Sequence, residues 1–246
     1  MRDSQPIFNV PGPVLLLLGL ILGVHAVRQF LDPATELWWF VAMAFIPARY
    51  GGQAADIPGG GVAAVTSFFT HIFLHADALH LTINSAWFLA FGSVLSKRIG
   101  WMRFYAFTFA SGIAGALLFL AFNPGLMAIV IGASGAIAGL MGAVMRFLFS
   151  AIDRREGWLL RENPSAIPLM SVTVALRDRR ILVAGVMFVA LNLLALAGAG
   201  MLGSSDPIAW EAHLGGYFFG MLAFGFFDGA AQRELPRAQD DPTNVA

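Results

Sequence analysis

Residues 132–139 read GASGAIAG, a run of very small side chains inside a long apolar segment. Small residues allow two transmembrane helices to approach closely, and Gly135 and Gly139 have the small-xxx-small spacing of such contacts. Ser134 is a polar group in a segment that otherwise suits hydrocarbon, and polar groups inside membrane spans mark function by default. The run therefore has two interpretations, a helix-packing surface or the position of a reactive serine, and the rest of the chain bears on both.

The composition is that of a membrane protein. Of the 246 residues, 58% are hydrophobic and 12% are charged, whereas a soluble domain carries about 25% charged residues. The formal net charge is zero, so we expect no nucleic-acid partner. The chain has no cysteine, which excludes disulfides, thiolate metal sites and a cysteine nucleophile. We expect one multi-pass domain in contact with the lipid bilayer.

Apolar runs and turn signals predict an all-α membrane protein. The predicted six-transmembrane-helix bundle has spans at residues 12–31, 77–95, 102–122, 127–149, 181–202 and 209–227. A connector over residues 32–66 contains residues 37–46, an apolar stretch too short to cross a core that needs about 20 residues, and we interpret it as an interfacial or re-entrant part of the first external loop. The predicted organisation is an N-terminal tail (1–11), a membrane domain (12–228) and a C-terminal tail (229–246).

The positive charges predict the orientation of this bundle. With six spans, one side of the membrane receives every lysine and arginine except Arg28 and Arg49. Cytoplasmic loops carry an excess of these residues, so we expect both termini in the cytoplasm. The short tails and the lack of a targeting extension lead us to expect a bacterial inner (plasma) membrane.

Four polar side chains lie within three of the predicted spans. His80 and Asn84 are spaced i,i+4 and therefore share one face of the second span. Ser134 belongs to the fourth span and His213 to the sixth. The heights of these groups above the charged C-terminal ends of their spans follow from a rise of about 1.5 Å per residue. They are roughly 20 Å for Asn84, 18 Å for Ser134 and 22 Å for His213. Three spans thus bring polar groups to one level of the membrane.

A serine and a histidine at one depth suggest a nucleophile and its general base. A neutral imidazole can take the serine proton near pH 7. His80, Asn84 and the Ser134 backbone N–H could then donate hydrogen bonds to an oxyanion. Glu211 is two residues before His213 and so points from another helix face, which favours a Ser–His dyad over a triad.

These residues resemble the rhomboid family of intramembrane serine proteases. The matching motifs lie on the family's second, fourth and sixth spans, within residues 67–228, and read His80-x-x-x-Asn84, Gly132-Ala133-Ser134-Gly135 and Ala212-His213-x-x-Gly216-x-x-x-Gly220. The resemblance implies a six-helix bundle whose fourth helix begins within the membrane, beside a hydrophilic cavity open to the outside. It also implies cleavage of transmembrane protein substrates near small or helix-destabilising residues. It assigns Ser134 as the nucleophile, His213 as the base, and His80 and Asn84 as oxyanion donors.

Some positions depart from the family pattern. Ala138 stands where many members place an aromatic residue that stacks on the histidine, and Ser96 replaces a glutamate that is common after the second span. The Trp-Arg pair of the first external loop is not evident, although Trp38, Trp39 and Arg49 lie in that loop. The departures concern the support of the histidine and the anchoring of the loop.

Other functions remain as alternatives. A rhomboid-like protein without proteolysis would bind membrane clients, although such relatives typically lose the serine or the histidine. A transporter is disfavoured because the centres of the spans hold no charged residue. His71 and His75 favour a structural role because a zinc site needs a third ligand, and neither a His-Glu-x-x-His motif nor a pair of aspartates occurs in the spans. We therefore expect no cofactor and no metal; the oligomeric state stays open.

Overall fold

The computed structural model describes residues 10–201 and 209–229, with the backbone alone for residues 195–201. The described residues form helices joined by loops and short 3₁₀ turns, without a strand among them. The helices are α1 (Gly12–Arg28), α2 (Pro33–Met43), α3 (Gly60–Thr70), α4 (Ala78–Ile99), α5 (Trp101–Phe122), α6 (Ser134–Asp153), α7 (Leu159–Glu162), α8 (Val172–Ala175), α9 (Arg179–Met201) and α10 (Trp210–Phe227). The predicted helical architecture is confirmed for these residues.

Within the described part of the chain, three helices are long and apolar enough to cross a membrane, namely α4, α5 and α6. Helix α1 is apolar but has 17 residues, fewer than the 20 or so that a straight span needs. Helices α9 and α10 begin within two residues of the predicted fifth and sixth spans. The count of six spans stays a prediction, and residues 1–9 and 230–246 of the two predicted tails lie outside the described part of the chain.

Local signals explain where several helices begin and end. Asp32 caps α2 by accepting a hydrogen bond from the Thr35 amide at 3.1 Å. Asp77 caps α4 in the same way, with its carboxylate 2.8 Å from the His80 amide nitrogen. Gly100 separates α4 from α5 with a φ of 77°, a conformation that favours glycine. The tight turn between these two helices therefore follows from the sequence.

The predicted start of the fourth span at residue 127 is wrong. Residues 127–133 lie outside any helix, and α6 begins at Ser134. The segment pairs with the residues that follow α2 instead, since the amide of Val130 donates to the carbonyl of Phe45 at 2.9 Å and the reverse bond is 3.0 Å. Gly132 then turns the chain with a φ of 110°. Because backbone groups of this apolar segment already have hydrogen-bond partners, the segment need not be helical.

The predicted connector also has more structure than expected. Its apolar stretch, residues 37–46, forms most of α2, a helix of 11 residues that ends where Ala44 becomes extended. A second helix, α3, begins at Gly60 and extends beyond the predicted connector end at residue 66. Gly59, in the left-handed region with a φ of 88°, is the N-cap of α3, so the Gly59-Gly60-Gly61 run marks the start of this helix.

Helix α10 packs in the groove between α5 and α6 through glycines. A methyl group built on Gly216 would overlap the carbonyl oxygen of Gly135, and one built on Gly220 would overlap that of Gly139. On the other side of α10, a methyl group on Gly115 of α5 would lie 2.5 Å from the carbonyl oxygen of Ala212. The backbones of the three helices thus touch without side chains between them, as small residues permit. This contact brings the N-terminal ends of α6 and α10 together.

A buried ion pair joins the C-terminal ends of α4 and α10. The Arg98 guanidinium lies 2.6 Å from the carboxylate of Asp228, and the two side chains are 1% and 0% exposed. The same guanidinium donates to the carbonyl of Ile167 at 2.9 Å and lies over the Phe147 ring, 4.4 Å from its centroid. The pair therefore connects α4, the loop before α8 and the end of α10.

Candidate active site

Ser134 is the first residue of α6 and is held there by its neighbours. The amide of Gly132, two residues earlier, donates to the carbonyl of His71 at 2.9 Å. The first bond of the helix runs from the amide of Ile137 to the carbonyl of Ala133 at 2.9 Å. Ala133 is the N-cap and has no side chain that could accept from the first amides of the helix. The hydroxyl of Ser134 therefore lies at the positive end of the α6 dipole, where backbone N–H groups have no acceptor within the helix.

His213, in the first turn of α10, faces this serine. Its Nε2 lies 2.7 Å from Ser134 Oγ. Both residues are half-buried, whereas Ala133, Gly135 and Ala212 beside them are buried. The structure thus brings together the two residues that the sequence predicted as nucleophile and base, at a distance suited to proton transfer.

The other ring nitrogen of His213 has a partner that the sequence analysis missed. Its Nδ1 forms a hydrogen bond with Oδ1 of Asn192 on α9. Asn192 in turn donates from Nδ2 to the carbonyl of Phe188, one turn earlier, at 2.8 Å. The sequence does contain a signal for this residue. Asn192 is the one side chain with a hydrogen-bonding group in residues 181–194, and a polar group in such an apolar segment indicates a functional contact.

His80 lies close to the serine. A methyl group built on Gly132 would lie 2.9 Å from His80 Nε2 and 3.8 Å from Ser134 Oγ, so the imidazole and the hydroxyl border the same small space. The ring of His75 contacts His80 edge-on, with the centroids 4.9 Å apart. Two features favour glycine at position 132, because L residues rarely adopt a φ of 110° and because a side chain would crowd His80 Nε2 and the space beside the hydroxyl.

Asn84 is buried one turn below His80. Its Nδ2 donates to the carbonyl of His80 at 3.0 Å, which leaves the second N–H of the amide for another acceptor. It lines a narrow cavity together with Ala133, the residue before the serine, and His75. Of the two predicted oxyanion donors, His80 thus borders the space beside the Ser134 hydroxyl, and Asn84 lines a cavity with the residue before the serine.

The structure also shows what surrounds the remaining predicted residues. The Nδ1 of His71 bonds to the carbonyl of Ser67 at 2.7 Å, within its own helical segment. No group of three histidines, aspartates or glutamates that could hold a metal ion occurs in the described ranges. Ala138 is buried in a cluster with Tyr217 and Met221 of α10, so no aromatic ring from position 138 supports His213.

Comparison with known proteins decides the family. A family model described as Rhomboid domain matches residues 63–229, more than half of the chain. The chain belongs to the rhomboid family. This rhomboid is 29% identical over 188 residues to RHOMBOID-like protein 1 of Arabidopsis thaliana, an alignment that covers 73% of the chain and 40% of the relative.

Bacterial relatives carry names that state an activity. The rhomboid is 30% identical over 105 residues to Rhomboid protease GluP of Bacillus subtilis (strain 168), covering 43% of the chain and 20% of that protein. It is 38% identical over 87 residues to Putative rhomboid protease YdcA of the same organism, covering 35% and 42%. The chain thus spans less than half the length of these relatives. Its apolar helices and its rhomboid domain make it an integral membrane protein.

Proposed function

We propose that this rhomboid is an intramembrane serine endopeptidase that hydrolyses peptide bonds in or next to the transmembrane segments of other membrane proteins. The observation that carries the proposal is the 2.7 Å separation of Ser134 Oγ and His213 Nε2 at the end of a buried helix. Serine is a weak nucleophile until a base takes its proton, and an imidazole in hydrogen-bond contact is such a base. The named protease relatives support the same chemistry.

The first half of the reaction forms an acyl-enzyme. The lone pair of His213 Nε2 takes the proton as Ser134 Oγ bonds to the substrate carbonyl carbon, and the carbonyl π electrons move onto its oxygen. His213 then gives this proton to the amide nitrogen as the C–N bond breaks, and the amine product leaves. In the second half, water adds to the ester carbonyl while His213 accepts its proton, and the same proton returns to Ser134 Oγ when the acid product departs.

The negative oxygen formed in both halves needs hydrogen-bond donors. The backbone N–H of Ser134 belongs to the first turn of α6, where no helical acceptor competes for it. The His80 ring borders the space before Ser134 Oγ, and Asn84 keeps one N–H for a further acceptor. Donors that are fixed before the reaction stabilise the developing charge without reorganisation. We infer that these three groups form the oxyanion hole.

We also propose the six-helix arrangement, with residues 1–11 and 229–246 as tails and both termini in the cytoplasm of a bacterium. Residues 32–66 then form the first external loop, on the same side as the N-terminal ends of α6 and α10. We propose that the active site opens towards that side, and the partial accessibility of Ser134, His80 and His213 supports an opening to solvent. No cofactor takes part in the proposed reaction.

Cleavage of a model single-span substrate in liposomes tests the proposal. Ser134→Ala and His213→Ala should abolish cleavage while the purified variants unfold at about the temperature of the wild type. Ser150→Ala, a serine near the other end of α6, and His25→Ala, near the end of α1, are the matched controls and should cleave normally. Full activity of Ser134→Ala would reject the mechanism. A wild type that binds the substrate without cleaving it would instead favour a non-proteolytic protein that binds membrane clients.

A further inference from the structure

Asn192 lies on the side of His213 that is opposite to Ser134. It belongs to the middle of α9, is half-buried, and is flanked by the exposed apolar residues Leu191 and Leu193. An amide side chain in such a segment is costly unless its donors and acceptor are satisfied. Here the oxygen faces His213 on α10 and one N–H donates to the carbonyl of Phe188. A residue that only packed against α10 would not need an amide.

The two hydrogen bonds fix the orientation of the amide. Nδ2 must face the carbonyl of Phe188, because a carbonyl oxygen only accepts and the reversed amide would place two acceptors 2.8 Å apart. Oδ1 therefore faces His213, and the proton between them must belong to His213 Nδ1. A neutral imidazole has one N–H, so Nε2 carries the lone pair. The lone pair is then on the nitrogen that faces Ser134 Oγ, as a general base requires.

The packing of α9 on α10 sets the register of this contact. Phe188, one turn before Asn192, stacks on Tyr217, one turn after His213, with the ring centroids 5.1 Å apart and the planes at 24°. The Tyr217 hydroxyl lies close to Gly185, where a methyl group would be 3.3 Å from it. The aromatic pair and the hydrogen bond thus lie one helical turn apart in the same interface between α9 and α10. Because position 138 carries no aromatic ring that could stack on His213, the hydrogen bond from α9 is a polar contact that can hold the ring.

We propose that Asn192 is a positioning residue that fixes the tautomer and the orientation of His213 and so completes a Ser134–His213–Asn192 triad. The assignment rests on the proposed protease function. When His213 takes the serine proton, the amide oxygen continues to accept from Nδ1 and its dipole faces the new positive charge. The amide has no net charge, so it orients the base without adding a carboxylate to the membrane interior. Asn192 acts through its hydrogen bond to His213, which makes it a positioning residue.

Three variants separate positioning from packing. Asn192→Leu keeps the approximate volume but removes the acceptor, and we expect kcat to fall roughly 10- to 100-fold with KM within about twofold of the wild type. Asn192→Asp keeps an oxygen towards His213, and in its neutral form it also keeps a donor towards Phe188. We expect it to recover most of the kcat that Asn192→Leu loses. Leu193→Ala, the next residue on α9 and 45% exposed, is the matched control and should cleave at the wild-type rate.

A tautomer measurement tests the inference without cleavage. In protein labelled with ¹⁵N-histidine, with the His213 signals assigned by their loss in His213→Gln, we expect Nδ1 to be protonated and Nε2 to be bare. In Asn192→Leu the Nε2–H form should appear. A wild-type His213 protonated on Nε2 would overturn the assignment, whether or not the protein cleaves its substrate. So would a folded Asn192→Leu whose kcat is unchanged, or whose defect lies in KM alone. Absence of any Ser134-dependent cleavage would reject the proposed function, and the ring signals would still decide the position of the proton.

Discussion

The contact between Gly216 and Gly135 sets the distance between the two proposed catalytic groups. Gly216 follows His213 by three residues, about one turn of α10, and Gly135 follows Ser134 directly. A methyl group on Gly216 would overlap the carbonyl oxygen of Gly135. Since carbon and oxygen need about 3.5 Å between them, Gly216→Ala must separate α6 and α10 by roughly 1 Å or more. The Ser134–His213 separation of 2.7 Å would then exceed the reach of a hydrogen bond.

Two effects of Gly216→Ala follow from this shift. Overpacking of this kind costs about 1–3 kcal/mol of stability. A displacement of about 1 Å at reacting groups costs about 100-fold in rate. We therefore expect a lower unfolding temperature in detergent and cleavage about 100-fold slower than the wild type.

Gly19→Ala is the matched control for that experiment. Gly19 lies inside α1, and a methyl group there would have no atom within 4 Å. The same change in another membrane helix should therefore leave both unfolding temperature and cleavage rate unchanged. If Gly216→Ala cleaves within about twofold of Gly19→Ala, the backbone contact does not set the position of His213 and the reasoning is wrong.

Three further predictions concern other parts of the structure. Gly132→Ala strains a φ of 110° and fills the space beside the serine. Steady-state kinetics should therefore show a large loss of cleavage rate, whereas thermal unfolding should show only a small fall in unfolding temperature. Arg98→Met removes the guanidinium from the buried carboxylate of Asp228 and should lower the free energy of unfolding by about 3–5 kcal/mol; equal stability would contradict this. A hydrogen bond from Arg180 lowers the pKa of Asp178 to about 2, so its stabilisation is present above the ordinary pKa near 4 and lost as pH falls towards 2. Asp178→Asn should therefore be less stable than the wild type at pH 7 and equal to it near pH 2, which thermal unfolding at both pH values measures.

The positions of Ser134 and His213 could be predicted because each lies in an apolar helix at a countable depth. A regular helix rises by a constant distance per residue, so a position in the sequence gives a height above the end of the helix. Both residues also belong to motifs with fixed glycine spacing. The predicted heights agreed within a few ångströms, and the structure places the two side chains 2.7 Å apart. Their catalytic roles remain proposals, since position alone does not show reaction.

Asn192 could not be linked to His213 from the sequence. The two residues are separated by 21 positions, and residues 202–208 between them lie outside the described part of the chain. Nothing in the spacing says which face of α9 meets α10. The contact depends on rotation of the two helices about their axes, which the Phe188–Tyr217 stack sets. A lone amide in an apolar segment signals a polar partner without identifying it.

The wrong start of the fourth span has a similar cause. Residues 126–131 read LMAIVI, which hydropathy alone cannot distinguish from the first turns of a span. What decides the matter is that Val130 exchanges two hydrogen bonds with Phe45, a residue far away in sequence. A backbone whose polar groups are already satisfied inside the protein need not be helical.

Covalent labelling of Ser134 tests the central proposal most directly. The wild type, treated with a serine-directed fluorophosphonate and digested for mass spectrometry, should carry the adduct on Ser134. Ser134→Ala should remain unlabelled, and His213→Ala should react far more slowly, because the hydroxyl then lacks its base. Labelling of Ser134 at the same rate without His213, or cleavage activity that persists when Ser134 cannot be labelled, would contradict the account.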